Sequence, residues 1–370
     1  MKVGTVKEVK KYEFRVGLTP SNVHEYASHG HQVYVEAGAG VGSSFTDEDY
    51  KAAGATILPT AKEVWDTVDM IVKVKEPLKE EYGLMREDQI IYTYLHLAAD
   101  RPLTLALMEK KTKAVAYETI RDKRGGLPLL KPMSEVAGKL SVQAGARCLE
   151  KIMGGRGVLL GGVPGVAKAN VVIIGGGVVG ISAMKIALGM GADVTILDRD
   201  IDRLSYLDDI YGQQIQTMYS TSYAIEQAIS KADLVIGAVL IPGAAAPKLI
   251  KREHLKKMKP GSVIVDVAVD QGGCCETTKA TYHDDPIFVV DGVVHYCVAN
   301  MPGAVSNTST FALTNATLNY GVKIANMGLE AAVMTDSGLM LGVNCYKGKL
   351  TCEEVARDFE MEYTDLRTLL

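Results

Sequence analysis

The chain has 370 residues, of which 47% are hydrophobic and 23% are charged, as is usual in soluble globular proteins. Its 40 basic and 44 acidic residues give a formal net charge of −4, which offers no electrostatic reason to expect a nucleic acid or an anionic membrane as partner. The 37 glycines and the 6% of aromatic residues favour short apolar strands joined by tight turns, as in α/β proteins.

The first part of the chain alternates short apolar runs with amphipathic segments, which predicts a mainly parallel sheet with helices on both faces. Thr19 is predicted to cap the first helix, with Pro20 at its first position. The predicted strands of this block are 2–6, 31–37, 56–58, 70–75, 90–96 and 114–118.

A second α/β block follows a predicted long helix over residues 134–153. Its predicted strands are 170–174, 193–197, 233–238, 262–269, 287–290 and 293–300. The tail from Ser309 is predicted to be helical, and its return to the first block would make that domain discontinuous.

The sequence thus predicts an α/β protein with two doubly wound, Rossmann-like domains and an active-site cleft between them. One predicted domain comprises residues 1–130 and 306–370, and the other comprises residues 131–305.

The apolar stretch 171–184 is too short to span a bilayer, and the first residues lack the apolar core of a secretory signal. The six cysteines show neither metal-ligand spacing nor the density of a disulfide framework. We therefore expect a cytoplasmic protein with reduced thiols, without a metal site.

Residues 170–198 carry a dinucleotide-binding fingerprint. A β-branched strand precedes Gly175, which makes the tight turn, Gly177, which lets the backbone approach a pyrophosphate, and Gly180, which lets helix and strand pack closely. The helix that follows offers unpaired N–H groups to phosphate. Asp198 ends the next strand, where a carboxylate accepts from ribose hydroxyls.

Glycine spacing alone is weak support and also fits a glycine-rich turn without function. Here the strand, the glycines, the helix and the terminal acid agree, and the sequence predicts a bound dinucleotide. Asp198 disfavours a 2′-phosphate, so NAD is preferred to NADP, although the neighbouring Arg199 and Arg203 weaken this preference.

Four residues with reactive or charged groups follow predicted strands: Arg15, Lys75, His96 and Asp270. Ligands of open α/β sheets bind beyond the carboxyl ends of the strands, so these side chains are expected to converge. Arg15 and Lys75 suit the carboxylate and carbonyl of a small 2-oxo or 2-amino acid, His96 suits proton transfer, and Asp270 suits orienting ammonia or water.

Each of these residues also has a simpler interpretation. Arg15 and Lys75 are compatible with solvated surface cations, and His96 with a hydrogen-bonded core histidine. Asp270 precedes Gln-Gly-Gly and is compatible with an ordinary turn residue. On these residues alone the chain is an NAD-dependent oxidoreductase of unknown substrate. Residues 131–305, which hold the fingerprint, form the predicted NAD-binding domain, and residues 1–130 with 306–370 form the predicted substrate domain.

Over essentially its whole length the chain resembles the bacterial L-alanine dehydrogenases. The matching blocks are RVGLTP at 15–20, VKEP at 74–77, YLHLA at 94–98, KPMSEVAG at 131–138, the fingerprint at 175–180, DQGG at 270–273, YCVANMPG at 296–303 and LGVN at 341–344. Several blocks in the same order are far more specific than the glycine fingerprint.

This resemblance implies that Arg15 and Lys75 hold the substrate and that His96 and Asp270 form the acid/base pair. It also implies a homohexamer and an NAD site. The implied NAD-site residues are Ser134, Gly175, Gly177, Val178, Val179, Gly180, Asp198, Arg203, Ser220, Val239, Leu240, Val267, Ala268, Val269, Asp270, Lys279, Val298, Ala299, Asn300 and Met301. The chain departs from the family pattern at Ala245, Lys279, Ser306 and Asn307, which puts cofactor affinity and stability in question.

The implied reaction is the reversible oxidative deamination of L-alanine to pyruvate and ammonium. Two alternatives remain: an NAD-binding subunit like that of proton-translocating transhydrogenase, and an NAD-binding protein without catalysis. Both share the cofactor fingerprint but have no use for an amino-acid site.

Overall fold

A computed structural model of the chain describes residues 1–239 and 246–370. These residues form two compact units: unit 1 comprises Met1–Met133 with Val305–Leu370, and unit 2 comprises Ser134–Ala304. Each unit contains its own predominantly parallel sheet, which confirms the predicted α/β class. The assignment of a substrate role and an NAD role to the two predicted domains stays a prediction.

The strands are, in chain order, β1 (Lys2–Thr5), β2 (Gln32–Glu36), β3 (Thr56–Leu58), β4 (Met70–Val72), β5 (Ile90–Thr93), β6 (Lys113–Ala116), β7 (Asn170–Ile174), β8 (Asp193–Asp198), β9 (Ile215–Tyr219), β10 (Leu234–Gly237), β11 (Val263–Asp266), β12 (Ile287–Val290), β13 (Val293–Tyr296), β14 (Val343–Tyr346) and β15 (Lys349–Leu350). The helices are α1 (Pro20–Ser28), α2 (Asp47–Ala52), α3 (Ala61–Thr67), α4 (Arg101–Glu109), α5 (Lys131–Cys148), α6 (Val178–Gly189), α7 (Ile201–Tyr211), α8 (Ser222–Lys231), α9 (Arg252–Leu255), α10 (Ser306–Met327), α11 (Leu329–Met334), α12 (Ser337–Met340) and α13 (Glu353–Asp358).

The sheet of unit 1 has the order β15-β14-β6-β5-β4-β1-β2-β3. Strands β1 to β6 run parallel, whereas β14 pairs antiparallel with β6 and β15 antiparallel with β14. The sequence did not predict β14 and β15, because both are short and follow a helical tail. The predicted N-cap is confirmed: the Asn22 N–H donates to Thr19 Oγ1 at 3.2 Å.

The sheet of unit 2 has the order β12-β13-β11-β10-β7-β8-β9 and is parallel except for β12, which pairs antiparallel with β13. Strand β9 was not predicted from the sequence. It lies at the edge of the sheet and is only partly buried, so it lacks the continuous apolar run of the central strands.

Four predicted strands end at least three residues earlier than expected. The strands β4, β5, β11 and β13 end at Val72, Thr93, Asp266 and Tyr296 instead of Lys75, His96, Val269 and Asn300. Beyond the ends of β4, β5 and β11, side-chain carboxylates accept hydrogen bonds from backbone N–H groups in place of a neighbouring strand. The predicted functional residues therefore lie in the loops after the strands.

A buried ion triad fixes the loop after β4. The Lys73 ammonium is 0% exposed and lies 3.2 Å from Glu8 Oε2 and 2.9 Å from Glu81 Oε1. Glu8 also accepts the Val74 N–H at 2.7 Å. Burial alone lowers the pKa of Lys73, but the two carboxylates outweigh burial and raise it, so Lys73 stays charged.

We expect Lys73→Met to destabilise the protein by about 3–5 kcal/mol, because it leaves two carboxylates buried without their cation. Burial raises the pKa of Glu8 and Lys73 lowers it, so the substitution should raise this pKa further. Because Glu8 then binds a proton more readily in the folded than in the unfolded variant, the variant gains stability as the pH falls. The decrease in the free energy of unfolding should therefore be smaller at mildly acidic than at alkaline pH. Urea unfolding at both pH values measures this loss.

Lys62→Met is the matched control, since Lys62 pairs with Asp66 on the surface. It should leave the free energy of unfolding almost unchanged. An equal loss in both variants would contradict the role of the triad.

Candidate active site

The substrate-binding and catalytic residues predicted in unit 1 follow neighbouring parallel strands. Arg15 lies after β1, Lys75 after β4 and His96 after β5, and these strands are adjacent in the order β5-β4-β1. The carboxyl ends of parallel strands share one edge of the sheet, so the structure brings these three residues to the same edge. Arg15 and Lys75 are close enough for the Arg15 charge to lower the pKa of Lys75.

The Arg15 guanidinium is buried and held by Glu13. Its Nε donates to Glu13 Oε1 at 2.7 Å, and its Nη2 donates to Glu13 Oε2 at 2.6 Å. Its Nη1 faces Met133 Sδ at 3.0 Å. Burial lowers the pKa of Arg15, but the Glu13 charge outweighs it and raises this pKa, so Arg15 is a permanent cation in a fixed plane.

Lys75 is half-buried, and the backbone on either side of it is fixed. Its carbonyl accepts from Thr93 Oγ1 at 3.0 Å, and the preceding N–H, that of Val74, donates to Glu8. Burial and the charge of Arg15 lower the pKa of Lys75, although Glu76 raises it. The ammonium therefore releases its proton more readily than a lysine in water.

His96 has a left-handed backbone with φ of 50°, which is uncommon for a residue other than glycine. The Glu118 carboxylate stabilises this conformation by accepting the His96 N–H at 2.5 Å and the Leu95 N–H at 3.0 Å. The imidazole stacks on the Tyr94 ring at a centroid distance of 5.8 Å.

Removal from water lowers the pKa of His96; Glu118 raises it and Lys75 lowers it, with a net lowering. The imidazole is consequently neutral near neutral pH and able to accept a proton. The surrounding protein partly removes the imidazole from water, but His96 keeps an exposed surface, which distinguishes it from a core histidine.

Sequence reasoning missed Glu13 and Glu118 as parts of this site. Glu118 ends the predicted strand 114–118, so the strand-end argument that selected His96 applied to it as well. Glu13 lies two residues before Arg15, but only the structure shows that its carboxylate accepts two hydrogen bonds from the guanidinium.

The fingerprint of unit 2 has the backbone that its glycines predict. Gly175 has φ of +107°, a conformation that L side chains rarely adopt. A Cβ on Gly180 would lie 1.8 Å from the Gly175 carbonyl oxygen, so only glycine fits between helix α6 and the turn. A Cβ on Gly177 would meet no described atom within 4 Å, which leaves open space at the start of α6. This space and the helix N-terminus fit a pyrophosphate.

Several residues of the predicted NAD site surround the fingerprint. The Gly176 N–H donates to Asp198 Oδ2 at 2.5 Å, and a Cβ on Gly176 would lie 3.2 Å from Arg203 Cγ. The Ser220 N–H donates to the Asp198 carbonyl at 2.8 Å. Val239 lies against Gly175, since a Cβ on Gly175 would be 3.2 Å from the Val239 backbone nitrogen.

Other predicted NAD-site residues reach this region through neighbouring elements. Val178 is exposed and Val179 is buried at the start of α6. Ser134 lies one turn before Gly138 on α5, and a Cβ on Gly138 would lie 2.2 Å from the Val179 carbonyl oxygen. Residues 267–270 and 298–301 follow β11 and β13, which are parallel to β7 and β10 and end at the same edge.

The structure places the Lys279 ammonium over the Phe288 ring, 4.5 Å from its centroid. Leu240 and Ala245 lie outside the described residues. Ser306 and Asn307 begin α10, and their side chains donate to the carbonyls of Gly42 at 2.6 Å and Ser43 at 2.8 Å.

Asp270 lies within a 3₁₀ turn over Val269–Gln271, and its side chain is exposed. The residue therefore is part of a turn, as the simpler interpretation proposed, and its carboxylate is accessible as a catalytic role requires. That role stays a prediction.

Within 1–239 and 246–370, the helices include none long and apolar enough to cross a membrane. The same residues contain no group of three or more His, Cys, Asp or Glu side chains that suits a metal ion. The six cysteines are buried as free thiols.

We expect Gly177→Ala to weaken NADH binding at least about tenfold without unfolding the protein, because its Cβ would enter the space predicted for the pyrophosphate. Gly189→Ala is the matched control, since Gly189 is the last residue of the helix that Gly177 caps, and a Cβ on Gly189 would also meet no described atom within 4 Å. Fluorescence titration with NADH and thermal unfolding measure both variants. Unchanged affinity in Gly177→Ala would contradict the predicted pyrophosphate position.

Glu118→Gln should lower the pKa of His96 further, because Glu118 is the group that raises it most. Titration of the His96 ring by NMR measures this shift. Glu109→Gln, at the exposed end of α4, should leave the pKa of His96 unchanged. A rise in this pKa on loss of the Glu118 charge would contradict the electrostatic assignment.

Comparison with known proteins identifies the family. Models of the alanine dehydrogenase/PNT N-terminal and C-terminal domains match residues 4–137 and 141–353. The chain is 57% identical to the alanine dehydrogenase of Methanococcus maripaludis over 365 residues, which cover 98% of both proteins. It is 54% identical to the alanine dehydrogenase of Halomonas elongata over 370 residues, which cover 100% of both.

A solved structure of an L-alanine dehydrogenase has a TM-score of 0.95 and 54% identity, over 97% of this chain and 99% of that one. The chain therefore belongs to the alanine dehydrogenase/PNT family.

Proposed function

We propose that the protein catalyses the reversible oxidative deamination of L-alanine to pyruvate and ammonium with NAD. One observation carries this proposal: in this chain, which belongs to the family, Arg15, Lys75 and His96 lie at one edge of a parallel sheet. Two cations beside a proton-transfer group suit a small 2-amino or 2-oxo acid better than any other common metabolite class.

Arg15 and Lys75 bind the substrate in this proposal. Glu13 fixes the plane of the Arg15 guanidinium, so its position is set before the substrate carboxylate arrives. Lys75 provides a second cation, and its lowered pKa suits hydrogen bonding to a carbonyl oxygen that gains and loses charge during the reaction.

In this proposal His96 transfers protons and Asp270 stabilises positive charge. The lowered pKa of His96 keeps the imidazole neutral, so it accepts a proton as water adds to the iminium form of the substrate. The protonated imidazole then returns the proton as the carbinolamine releases ammonia. We assign to the exposed Asp270 carboxylate the stabilisation of the positive charge on the substrate nitrogen.

Membership of the family implies a nicotinamide cofactor, which accepts a hydride from the alanine α-carbon when bound. We propose NAD because the Asp198 carboxylate lies at the fingerprint, bonded to the Gly176 N–H, where it would repel a 2′-phosphate. Arg203 also lies beside Gly176, so NADP is the necessary comparison. The homohexamer implied by the resemblance and the cytoplasmic location expected from the sequence stay predictions.

The direct test is the absorbance of NADH formed from L-alanine and NAD at alkaline pH, with D-alanine and NADP as controls. We expect turnover that is specific for L-alanine and NAD. The rate should rise with pH, because the substrate amine must lose its proton before hydride leaves. NADH binding without turnover of any 2-amino acid would instead support a transhydrogenase-like or non-catalytic role.

His96→Ala should lower kcat about 10²–10⁴-fold with NADH affinity retained, as expected for loss of a general acid/base group. His29→Ala is the control, since His29 lies on the surface at the end of α1. Full turnover in His96→Ala would remove this residue from the mechanism.

A further inference from the structure

The turn that carries Asp270 is closed by its own backbone. The N–H groups of Gln271 and Gly273 donate to the Ala268 carbonyl at 2.9 and 3.0 Å, and the Gly272 N–H donates to the Val269 carbonyl at 2.9 Å. Such a turn needs support at its base, because nothing in a backbone turn by itself fixes its angle to the sheet.

Asp266, the last residue of β11, supplies that support from inside. Its side chain is 0% exposed, and it accepts the Ala268 N–H at 3.1 Å, the Cys274 N–H at 2.9 Å and the Thr278 hydroxyl at 2.5 Å. One carboxylate therefore binds the backbone on both sides of Asp270. Charge-assisted bonds of this kind are about twice as strong as neutral ones.

Lys248 holds the same turn from outside. Its ammonium donates to the carbonyls of Gly272, Gly273 and Cys275, at 2.9 Å for Gly273 and 3.2 Å for Cys275. These carbonyls belong to the segment that follows Asp270 in the chain.

The packing around Asp266 leaves little room for the turn to shift. A Cβ on Gly273 would lie 2.6 Å from Asp266 Oδ2, and a Cβ on Gly237 would lie 2.3 Å from Cys274 Sγ. The two glycines let the turn pack directly on Asp266 and on the end of β10.

From these contacts we propose that Asp266 and Lys248 are positioning residues that hold the Asp270 carboxylate in place for the reaction. This inference rests on the proposed function, since it assigns to the two residues an effect on catalysis through Asp270. A misplacement of a reacting group by about 1 Å is enough to lower a rate about 10²-fold.

A purely structural role for Asp266 is the competing explanation, and unit 2 offers a matched control. Asp233 is also a buried carboxylate of this sheet, and it accepts the Asn170 N–H at 2.8 Å and pairs with Lys259 at 2.8 Å. Asp233 lies just before β10, at the opposite end of the strands from Asp270. Asp266→Asn and Asp233→Asn should both lower the free energy of unfolding, but only Asp266→Asn should affect catalysis.

The experiment is a double-mutant cycle on the full-length protein, with L-alanine and NAD as substrates. We expect Asp266→Asn to lower kcat about 10²-fold and Asp233→Asn to change it less than about twofold. In an Asp270→Asn background, Asp266→Asn should cause no further loss, because it acts through the carboxylate already removed. An equal loss in both backgrounds would show that Asp266 acts independently of Asp270 and would overturn the proposal.

Lys248→Met is the second variant, chosen because the Lys248 side chain is exposed and its loss should leave the fold intact. It should lower kcat about tenfold and also lose its effect in the Asp270→Asn background. Lys256→Met, at an exposed position after α9, is its control. Turnover of Lys248→Met equal to that of the parent would overturn the role of Lys248.

Hydrogen exchange of residues 268–275 separates this inference from the proposed function. Asp266→Asn should accelerate exchange of these amides relative to Asp233→Asn, whether or not the parent turns over L-alanine. No turnover by the parent would count against the proposed function alone. Unchanged exchange in Asp266→Asn would overturn the positioning role alone.

Discussion

Carboxylates at the ends of parallel strands hold the loops that carry the predicted functional residues. Where a strand ends, the backbone N–H groups lose their partners in the sheet, and a buried N–H without an acceptor is costly. Glu8 accepts from Val74, Glu118 from His96, Asp198 from Gly176 and Asp266 from Ala268. Each carboxylate fixes a loop that carries a residue with a predicted role in substrate or cofactor binding or in proton transfer.

Carboxylates also influence the charge of the predicted functional groups. In unit 1, Glu13 keeps Arg15 charged despite burial, whereas Lys75 and His96 have lowered pKa values because their carboxylate neighbours only partly offset burial. The edge of the sheet therefore combines one permanent cation with two groups that exchange protons readily. This combination suits a reaction in which a carboxylate is held while an amine becomes a carbonyl.

Much of the fold followed from local pattern. Strands β3, β7 and β12 have the predicted bounds, because β-branched or apolar runs between turn residues mark strands clearly. Strand β9 was not predicted because it is partly exposed, and β14 and β15 were not predicted because they are short and follow a helical tail. The predicted ends of β4, β5, β11 and β13 were also wrong; beyond the first three, side-chain carboxylates accept the backbone hydrogen bonds.

By itself the sequence determined the two α/β units, the dinucleotide fingerprint and the residues that match the family, because these depend on periodicity, glycine spacing and ordered motifs within short segments. Only the tertiary structure decided that Glu13 grips Arg15, that Glu118 holds the left-handed His96, and that Asp266 and Lys248 hold the turn of Asp270. Most of these contacts join residues of different elements. Their partners are set by strand order and by which buried N–H or cation lacks another acceptor, and neither is written in any local pattern.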